Sequence, residues 1–490
     1  MPTPLQPSCV AATAAQAARR AGLTLWLLAA LALSACGGGG GAGPTADPPA
    51  PPSTGTPPTP PAPPAPPAPP AQAKGTVIVR VISTAGAPVP GVNVYLNRGD
   101  IPEATTDDYG EVRFTEVPSM EMSAVAWGGE YYSSGRRFTV VADAETTVPI
   151  EIMSLKEAIP VLLAVRQRPS ADSRSMELEL DFAVLDERGV ARETLTAADF
   201  RMSGACDWGP CLFSADGTSL MGEYWNAEVE DADLVPVSSA KRPVLATAFL
   251  LDQSEAMAAI DPTGLRVSAL TTFFDAVTAP DSVALGSYYD SAAPGSPSRP
   301  EITTYGPFTS DTAELRARAA MLSGQEAGRN SIAATTSAIS ELVRLTASHT
   351  AGSTGGTRRS VVVVGTGPDD DENAGPWVYR CQTNCSDAAR AARDEGISIV
   401  AIGGNPYAFE LAARTQGAGI PLISPVQLQP VFRGLESILS GRLAYNRVRL
   451  VLESSAGALQ PGRIVGGTLF VRLGTNTEFW YGITVPIGQD

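Results

Sequence analysis

Hydrophobic and polar positions along the chain follow two different periods, and the change between them divides the sequence. Over residues 75–153, apolar side chains recur at every second position, as in Val77, Val79 and Val81, and the runs are separated by Gly, Pro and Asp. This period is typical of strands that bury one face. We therefore predict a small antiparallel β-sandwich over residues 75–153.

A second β-rich region is predicted over residues 160–242. Its clearest strand is a strict alternation of five apolar residues, Met176, Leu178, Leu180, Phe182 and Val184, which predicts one buried face. Three further alternating runs in residues 444–490 also indicate strands. We expect these C-terminal strands to pair with the 160–242 region in one sandwich, because the two ends of a domain are often close together.

Between these two regions, over residues 243–443, the period changes. Unbroken apolar runs such as Val361–Val364 and Ile397–Ile402 alternate with helical patterns, of which Leu270, Phe273, Phe274 and Val277 form one face. Strands alternating with helices indicate βαβ units around a parallel sheet that is covered on both faces. The predicted fold class is a multidomain chain with a doubly wound, Rossmann-like α/β domain and antiparallel β-sandwich modules.

Particular motifs in the first region resemble a known module. The stretch Gly86–Val94, which reads GAPVPGVNV, and Thr105–Gly110, which reads TTDDYG, resemble the carboxypeptidase-regulatory-like or collagen-binding B-type repeat. The resemblance covers residues 75–153. It implies a spacer module without an activity of its own.

The α/β region resembles a von Willebrand factor type A domain over residues 243–443. Leu250–Met257 is similar to the family's strand-end motif Asp-x-Ser-x-Ser, and Asp281–Leu285 and Gly396–Gly403 are similar to two of its strands. The stretch Asp181–Phe200 resembles a leader found before some bacterial type A domains.

The resemblance to the type A family implies a metal-ion-dependent adhesion site, in which one Asp, two Ser, a Thr and a second Asp hold Mg²⁺ and leave a position for a partner's carboxylate. In this sequence Asp252 and Ser254 match the first two ligands, whereas Ala256 has lost the third hydroxyl. Asn330 stands where the family has Thr, with Ser331 as a neighbouring substitute, and Thr366 stands where the family has the second Asp.

Two readings of this degenerate site remain open. In one, the acidic run Asp369–Glu372 supplies replacement oxygens and Mg²⁺ is bound; in the other, that run is a solvated loop and the site is a metal-free relic. Loss of a carboxylate and a hydroxyl removes charge that offsets dehydration of the ion, and this favours the relic.

The N-terminus predicts export. Arg19 and Arg20 precede the apolar stretch Leu23–Leu33, which is too short to span a bilayer, so residues 1–35 are predicted to be a signal peptide. The ending Leu-Ser-Ala-Cys resembles the bacterial lipobox, which implies lipidation of Cys36 and anchoring at the cell envelope. Gly37 stands where enterobacterial lipoproteins have a retention Asp, and this favours the outer membrane over the inner. Ordinary cleavage with Cys36 as a bystander, and twin-arginine export, are the alternatives.

Residues 36–74 are rich in Gly and Pro and have little to bury. We expect them to be an extended polyproline II tether, with a ligand for an aromatic groove as the alternative. Four cysteines remain in the exported part, and the short spacings favour the disulfides Cys206–Cys211 and Cys381–Cys385 over a zinc-thiolate site.

Charge and histidine content limit the chemistry further. The formal net charge of -16 points away from nucleic-acid partners, and His349 is the single histidine, so imidazole-based catalysis has little material. The expected function is protein binding or adhesion by an envelope lipoprotein, without an enzymatic activity. Mg²⁺ at the degenerate site is the one candidate cofactor. The alternatives are a structural docking component of an envelope assembly and, more remotely, a hydrolase.

Overall fold

The computed structural model describes residues 73–169, 174–203, 212–213, 225–293, 296–323, 328–349, 356–366, 383–454, 464–473 and 477–486. The strands in these ranges are β1 (Lys74–Ser83), β2 (Asn93–Leu96), β3 (Ala104–Thr105), β4 (Glu111–Pro118), β5 (Glu121–Gly128), β6 (Tyr131–Thr139), β7 (Glu145–Ile152), β8 (Ile159–Pro169), β9 (Ser175–Leu185), β10 (Phe200–Ser203), β11 (Leu212–Phe213), β12 (Trp225–Val235), β13 (Val244–Asp252), β14 (Ser282–Asp290), β15 (Pro300–Thr304), β16 (Thr357–Gly365), β17 (Ile397–Gly403), β18 (Gly419–Pro421), β19 (Tyr445–Ser454), β20 (Ile464–Leu473) and β21 (Thr477–Pro486).

The α-helices in the same ranges are α1 (Glu255–Ile260), α2 (Leu265–Phe274), α3 (Thr312–Ala320), α4 (Ile332–Ser348), α5 (Thr383–Asp394), α6 (Pro406–Arg414) and α7 (Leu428–Ser440). Short 3₁₀ turns follow α3 and precede α7. Within the described ranges, each helix is too short or too polar to cross a membrane.

The N-terminal module, residues 74–152, is a sandwich of two small sheets, one ordered β4-β1-β7 and the other β3-β2-β5-β6. Alternate apolar residues of both sheets, such as Val79 and Val94, are fully buried between them. One pairing differs from the antiparallel prediction, because β1 and β7 run parallel. The first and last strands of the module therefore point the same way.

The α/β region forms a sheet ordered β18-β17-β16-β13-β14-β15. The first five strands are parallel, and β15 is antiparallel at the edge. Helices α2, α3 and α7 pack on one face and α4, α5 and α6 on the other. This confirms the predicted doubly wound fold.

Strand β13 lies at the centre of this sheet and is buried on both faces. Phe249 packs on one face against Phe273 of α2 and Phe432 of α7, with ring centroids 5.1 Å and 5.8 Å away. Leu250 faces the opposite core. The apolar face predicted for α2 is correct up to Phe274, where the helix ends; Val277 lies beyond it and still packs into the same core.

The parallel sheet continues past β18 into strands of the second β-rich region, so that one sheet runs β12-β19-β9-β8-β18 and onward. Strand β19 pairs with β9 on one side and β12 on the other, and Val235 lies directly opposite Tyr445. Strands β10, β11, β20 and β21 form a second sheet that packs over the sandwich part of the first. The α/β region therefore lies in the chain between β12 and β19, which are neighbours in the sheet.

Strand β9 differs from its predicted pattern, in which only one face is buried. Its apolar face packs in the sandwich core as expected, but Glu179 and Asp181 on the other face are only 5% and 3% exposed. Arg166 donates to both carboxylates, at 2.9 Å and 2.6 Å, and Arg447 donates to Asp181 at 2.9 Å. The arginines cover the acids, since a carboxylate is buried at acceptable cost only when it is paired.

Helix α7 is held against the turn that follows β9. Gly189 has φ +77°, and a Cβ there would lie 2.4 Å from the nitrogen of Gly434. Arg433 Nη1 also donates to the carbonyl of Glu187 at 2.8 Å. The turn and the helix therefore touch through backbone, with no room for a side chain at Gly189.

We predict that Gly189→Ala lowers thermal stability more than Gly264→Ala does. Both glycines have positive φ, which costs an L-residue about 1–2 kcal/mol, but Gly264 has no atom within 4 Å of its would-be Cβ. The extra loss in Gly189→Ala, measured as a further fall in Tm by calorimetry, reports the backbone contact with α7. Equal losses in the two variants would contradict this packing.

Candidate functional site

The residues predicted for the adhesion site meet at the carboxyl ends of the parallel strands. Asp252 ends β13, Thr366 follows β16, and Asn330 lies just before α4. Ser254 caps α1, and its Oγ accepts the amide of Met257 at 3.3 Å. Asp252, Ser254 and Asn330 are 0% exposed and Thr366 is 6% exposed, so the cluster is buried.

Both carboxylate oxygens of Asp252 are occupied by hydrogen-bond donors. Oδ1 accepts the backbone amide of Ser254 at 2.8 Å. Oδ2 accepts the Thr366 hydroxyl at 2.9 Å, the Thr366 amide at 3.1 Å and the Asn330 side-chain amide at 2.9 Å. Burial raises the pKa of Asp252, and the donors from Ser254 and Thr366 oppose that rise.

The side-chain amide nitrogen of Asn330 lies among oxygen atoms. Nδ2 donates to Asp252 Oδ2 and also to the carbonyl of Thr366 at 3.0 Å. The Asn330 Oδ1 atom accepts the hydroxyl of Thr335 at 3.0 Å, which orients the amide. Asn330 therefore presents a donor to the carboxylate, where the Thr of the type A family would present an oxygen.

A further polar layer lies beneath this cluster and was not predicted from the sequence. The hydroxyl of Tyr288 on β14 lies 3.4 Å from the hydroxyl of Thr335, and Asn405 Nδ2 donates to Thr335 at 3.4 Å. Tyr288 is fully buried, and burial together with the nearby charge of Asp252 raises its pKa. The one sequence signal was a tyrosine within the predicted strand Val283–Tyr289.

An ion pair supports the loop that carries Ser254. Arg266 donates to Asp261 at 3.1 Å and to Gln253 Oε1 at 3.1 Å, and Gln253 in turn donates to the carbonyl of Leu322 at 3.0 Å. All three residues are buried. The loop after β13 is thus fixed both to α2 and to the turn after α3.

The arrangement does not fit a Mg²⁺ ion. Mg²⁺ demands an octahedron of oxygens with one or more carboxylates free to face it. Within the described part of the cluster Asp252 is the one carboxylate, both of its oxygens accept protein donors, and the Ala256 side chain offers no oxygen. No group of three or more His, Cys, Asp or Glu side chains suited to a metal occurs among the described residues.

Several other predicted residues have defined positions or lie outside the described ranges. Ser331, the neighbouring substitute, caps α4 by accepting the amide of Ala334 at 3.1 Å. The acidic run Asp369–Glu372 lies outside the described residues, as do Cys36, Cys206, Cys211 and Cys381 and the side chain of Cys385. Lipidation and both disulfides therefore stay predictions.

His349 lies just after α4, away from the strand-end cluster. Its Nε2 is 2.9 Å from the hydroxyl of Ser282, and its ring stacks on Phe308 with centroids 4.1 Å apart. Burial lowers the pKa of the imidazole. These contacts give His349 a packing role at the opposite end of β14.

Comparison with known proteins identifies the N-terminal module. Residues 76–153 match the family model of the carboxypeptidase regulatory-like domain. This segment is a carboxypeptidase regulatory-like domain. The sequence-based resemblance is therefore confirmed for this part of the chain. No curated protein matches the chain by sequence.

Solved structures are similar to parts of the chain at low identity. Proximal thread matrix protein 1 of the mussel byssus, with a zinc-occupied MIDAS motif, is 14% identical over 43% of this chain and 48% of its own, with a TM-score of 0.30. A von Willebrand factor type A protein of Catenulispora acidiphila is 10% identical over 59% and 73%, with a TM-score of 0.29. A pilus adhesin of Lactobacillus rhamnosus GG is 10% identical over 58% and 48%, with a TM-score of 0.30. The chain spans about half the length of the first and third.

We predict that Mg²⁺ titrated into the purified protein at millimolar concentration produces no heat of binding in calorimetry. The variant Ala256→Ser/Asn330→Thr/Thr366→Asp restores the ligand types of the type A family and removes the amide donor, so it should bind Mg²⁺ measurably. The wild-type protein is the matched control. Heat of binding in the wild type that disappears in Asp252→Ala would contradict the metal-free interpretation.

A second buried carboxylate, Asp290, lies at the end of β14 beside the site. Its side chain accepts the hydroxyl of Ser298 at 2.6 Å and the amides of Ala292 and Arg299 at 2.9 Å and 2.8 Å. Burial alone would raise the pKa of Asp290, but hydrogen bonds from Ser298, Ser331 and these amides lower it to about 2. The folded state therefore favours the ionised form.

This pKa predicts acid sensitivity. The pKa of an Asp side chain in the unfolded chain is about 3.9, so ionised Asp290 stabilises the fold fully above about pH 4. Roughly 2 kcal/mol of the free energy of unfolding is lost as the pH falls toward 2. In Asp290→Asn the urea concentration at the midpoint of unfolding should depend less on pH between pH 4 and 2. In Ser298→Ala the loss of stability should begin at a higher pH. Superimposable pH profiles for the wild type and both variants would exclude this role.

Proposed function

We propose that the chain is a lipid-anchored envelope protein that binds another protein through the strand-end face of its type A region, without a metal ion. The observation that carries the proposal is the Asn330 amide bound to Asp252, which supports a site that is complete without a cation. The contact surface would then be shaped by side chains around a rigid polar cluster rather than by an ion with an open position.

Two exposed apolar side chains lie on elements tied to this cluster and support the choice of face, since Ser254 caps the helix that Ile260 ends and Gln253 donates to the carbonyl of Leu322, next to Met321. Ile260 ends α1 and is 53% exposed, and Met321 follows α3 and is 66% exposed. The main chain of α1 is tied to the loop before α4, because the amide of Glu255 donates to the carbonyl of Gly328 at 2.7 Å. Aliphatic side chains held on a fixed framework suit a protein partner, since little conformational entropy is lost on binding.

The anchored, exported location is proposed from the sequence. The lipobox-like Cys36 and the proline-rich stretch that follows it support a protein tethered at the envelope, with the outer membrane favoured. A binding role without enzymatic activity is the simplest function for this combination of a spacer domain and a type A region.

The second candidate is a structural docking component of an envelope assembly. It is supported by the continuous ten-stranded sheet, which joins the type A region to the sandwich without a flexible linker at β8 and β18. Such a component would be held by broad contacts and would tolerate single changes at the strand-end face.

Affinity capture from envelope extract distinguishes these roles. We expect the wild-type protein to capture a partner equally with and without chelator, and Ile260→Ser and Met321→Ser each to reduce capture about tenfold, since each change removes ~1–1.5 kcal/mol of apolar burial. Val141→Ser in the regulatory-like domain is the matched control, because Val141 is 55% exposed and lies on another domain.

Each of the other possible outcomes would contradict the proposed function in a different way. Capture that is lost in chelator would refute the metal-independent mode. Capture that survives both strand-end changes would favour the docking component. Hydrolysis of generic esters or peptides by the clean protein would revive a hydrolase.

A further inference from the structure

In this sequence the regulatory-like domain lies between the predicted anchor at Cys36 and the sandwich with its α/β region. The chain enters this domain at Lys74, the start of β1, and leaves it at Ile152, the end of β7. Any tension between a membrane anchor and the rest of the protein therefore crosses the domain from the first residue of β1 to the last residue of β7.

Strands β1 and β7 are parallel neighbours. They pair over eight successive positions, from Thr76 opposite Glu145 to Ser83 opposite Ile152. Tension pulls β1 toward its beginning and β7 toward its end, so the two strands are drawn past each other along their length. In this shear geometry the hydrogen bonds of the pair carry load together, whereas strands pulled apart from one end break their bonds in sequence.

Strand β1 is also the central strand of its sheet, with β4 on its other side. Three of its side chains, Val77, Val79 and Val81, are 0% exposed and pack in the domain core. For β1 to slide out, two ladders must break and three valines must leave the core, each at a cost of ~1.5 kcal/mol or more.

The entry point is held by backbone hydrogen bonds. The carbonyls of Ala73 and Lys74 accept the amides of Ser119 and Asp143, both at 2.8 Å. A Cβ at Gly75 would lie 2.3 Å from the carbonyl oxygen of Val141, so β1 begins in close contact with the loop before β7.

The residues that follow β7 are anchored in the next domain. Met153, Leu155 and Ala158 are buried in the core of the sandwich. Gln427, which precedes α7, donates through Nε2 to the carbonyl of Leu155 and to the hydroxyl of Tyr132, both at 3.2 Å. The hydroxyl of Tyr132 donates to the carbonyl of Ala158. Load leaving β7 therefore passes directly into the type A region and the sandwich.

From this geometry we propose that the parallel β1–β7 pair is a shear clamp that bears tension between the membrane anchor and the binding face. The assignment of an anchor and a binding face rests on the proposed function. The clamp itself rests on the register, burial and chain direction of β1 and β7.

Single-molecule force spectroscopy on the mature chain tests the clamp in two pulling geometries. One handle is placed at position 73, and the second at position 156, which loads the pair in shear, or at position 144, which peels it from the shared end. At one loading rate we expect rupture in shear at a force at least about twofold higher, because hydrogen bonds worth ~1 kcal/mol each are loaded together. Release of roughly 29 nm and 25 nm of chain, at ~3.5 Å per residue, identifies the domain in the two cases.

A matched pair of variants separates the clamp from general stability. Val79→Ala lies in β1 and Val94→Ala lies in β2, and both remove the same atoms from fully buried positions of one core. Both should lower Tm similarly, but Val79→Ala alone should lower the shear rupture force. Equal forces in the two geometries, or equal effects of the two variants on the shear force, would overturn the clamp. Neither result depends on a lipid or a partner, so failure here leaves the capture experiment unaffected.

Discussion

The structure depends on a pair of strands that belongs to two hydrophobic cores at once. Met176 and Phe182 of β9 pack in the sandwich, while Ala183 and Leu185 of the same strand, with Ile159 of β8, pack in the core of the α/β region. Because β8 also pairs with β18, the two regions share both a sheet and its side chains. Neither core is complete without this hairpin, so the α/β region and the sandwich are structurally continuous.

The polar atoms of the strand-end cluster are likewise satisfied by groups within the protein. Asp252 is buried in a place where a carboxylate is costly, and the surrounding donors compensate that cost without an outside ligand. A site closed by an amide has no open position for an incoming carboxylate, so the proposed partner would be recognised by neighbouring exposed side chains. Thr335 beneath the cluster keeps the amide of Asn330 in one orientation.

Much of the fold was predictable because apolar periodicity reports burial directly. The doubly wound sheet and the convergence of Asp252, Asn330 and Thr366 follow from strand periodicity and from the resemblance to the type A family. What could not be predicted depends on partners distant in sequence: the cover over Asp181 comes from Arg447, 266 residues away, and the bond of Tyr132 comes from Gln427, 295 residues away. The direction of the Asn330 amide depends on Thr335 and Asp252 together, which no local pattern reports.

The pairing of Val235 with Tyr445 has a consequence for the order in which the chain folds. These neighbours in the sheet are separated by a connection, residues 236–444, that contains the α/β region. Closing so long a loop as a free chain costs about 5 kcal/mol of conformational entropy. An α/β region that folds first brings its own ends together and removes most of that cost. The topology therefore sets the order of assembly: the inserted α/β region folds first, and the sandwich strands on either side of it pair afterwards.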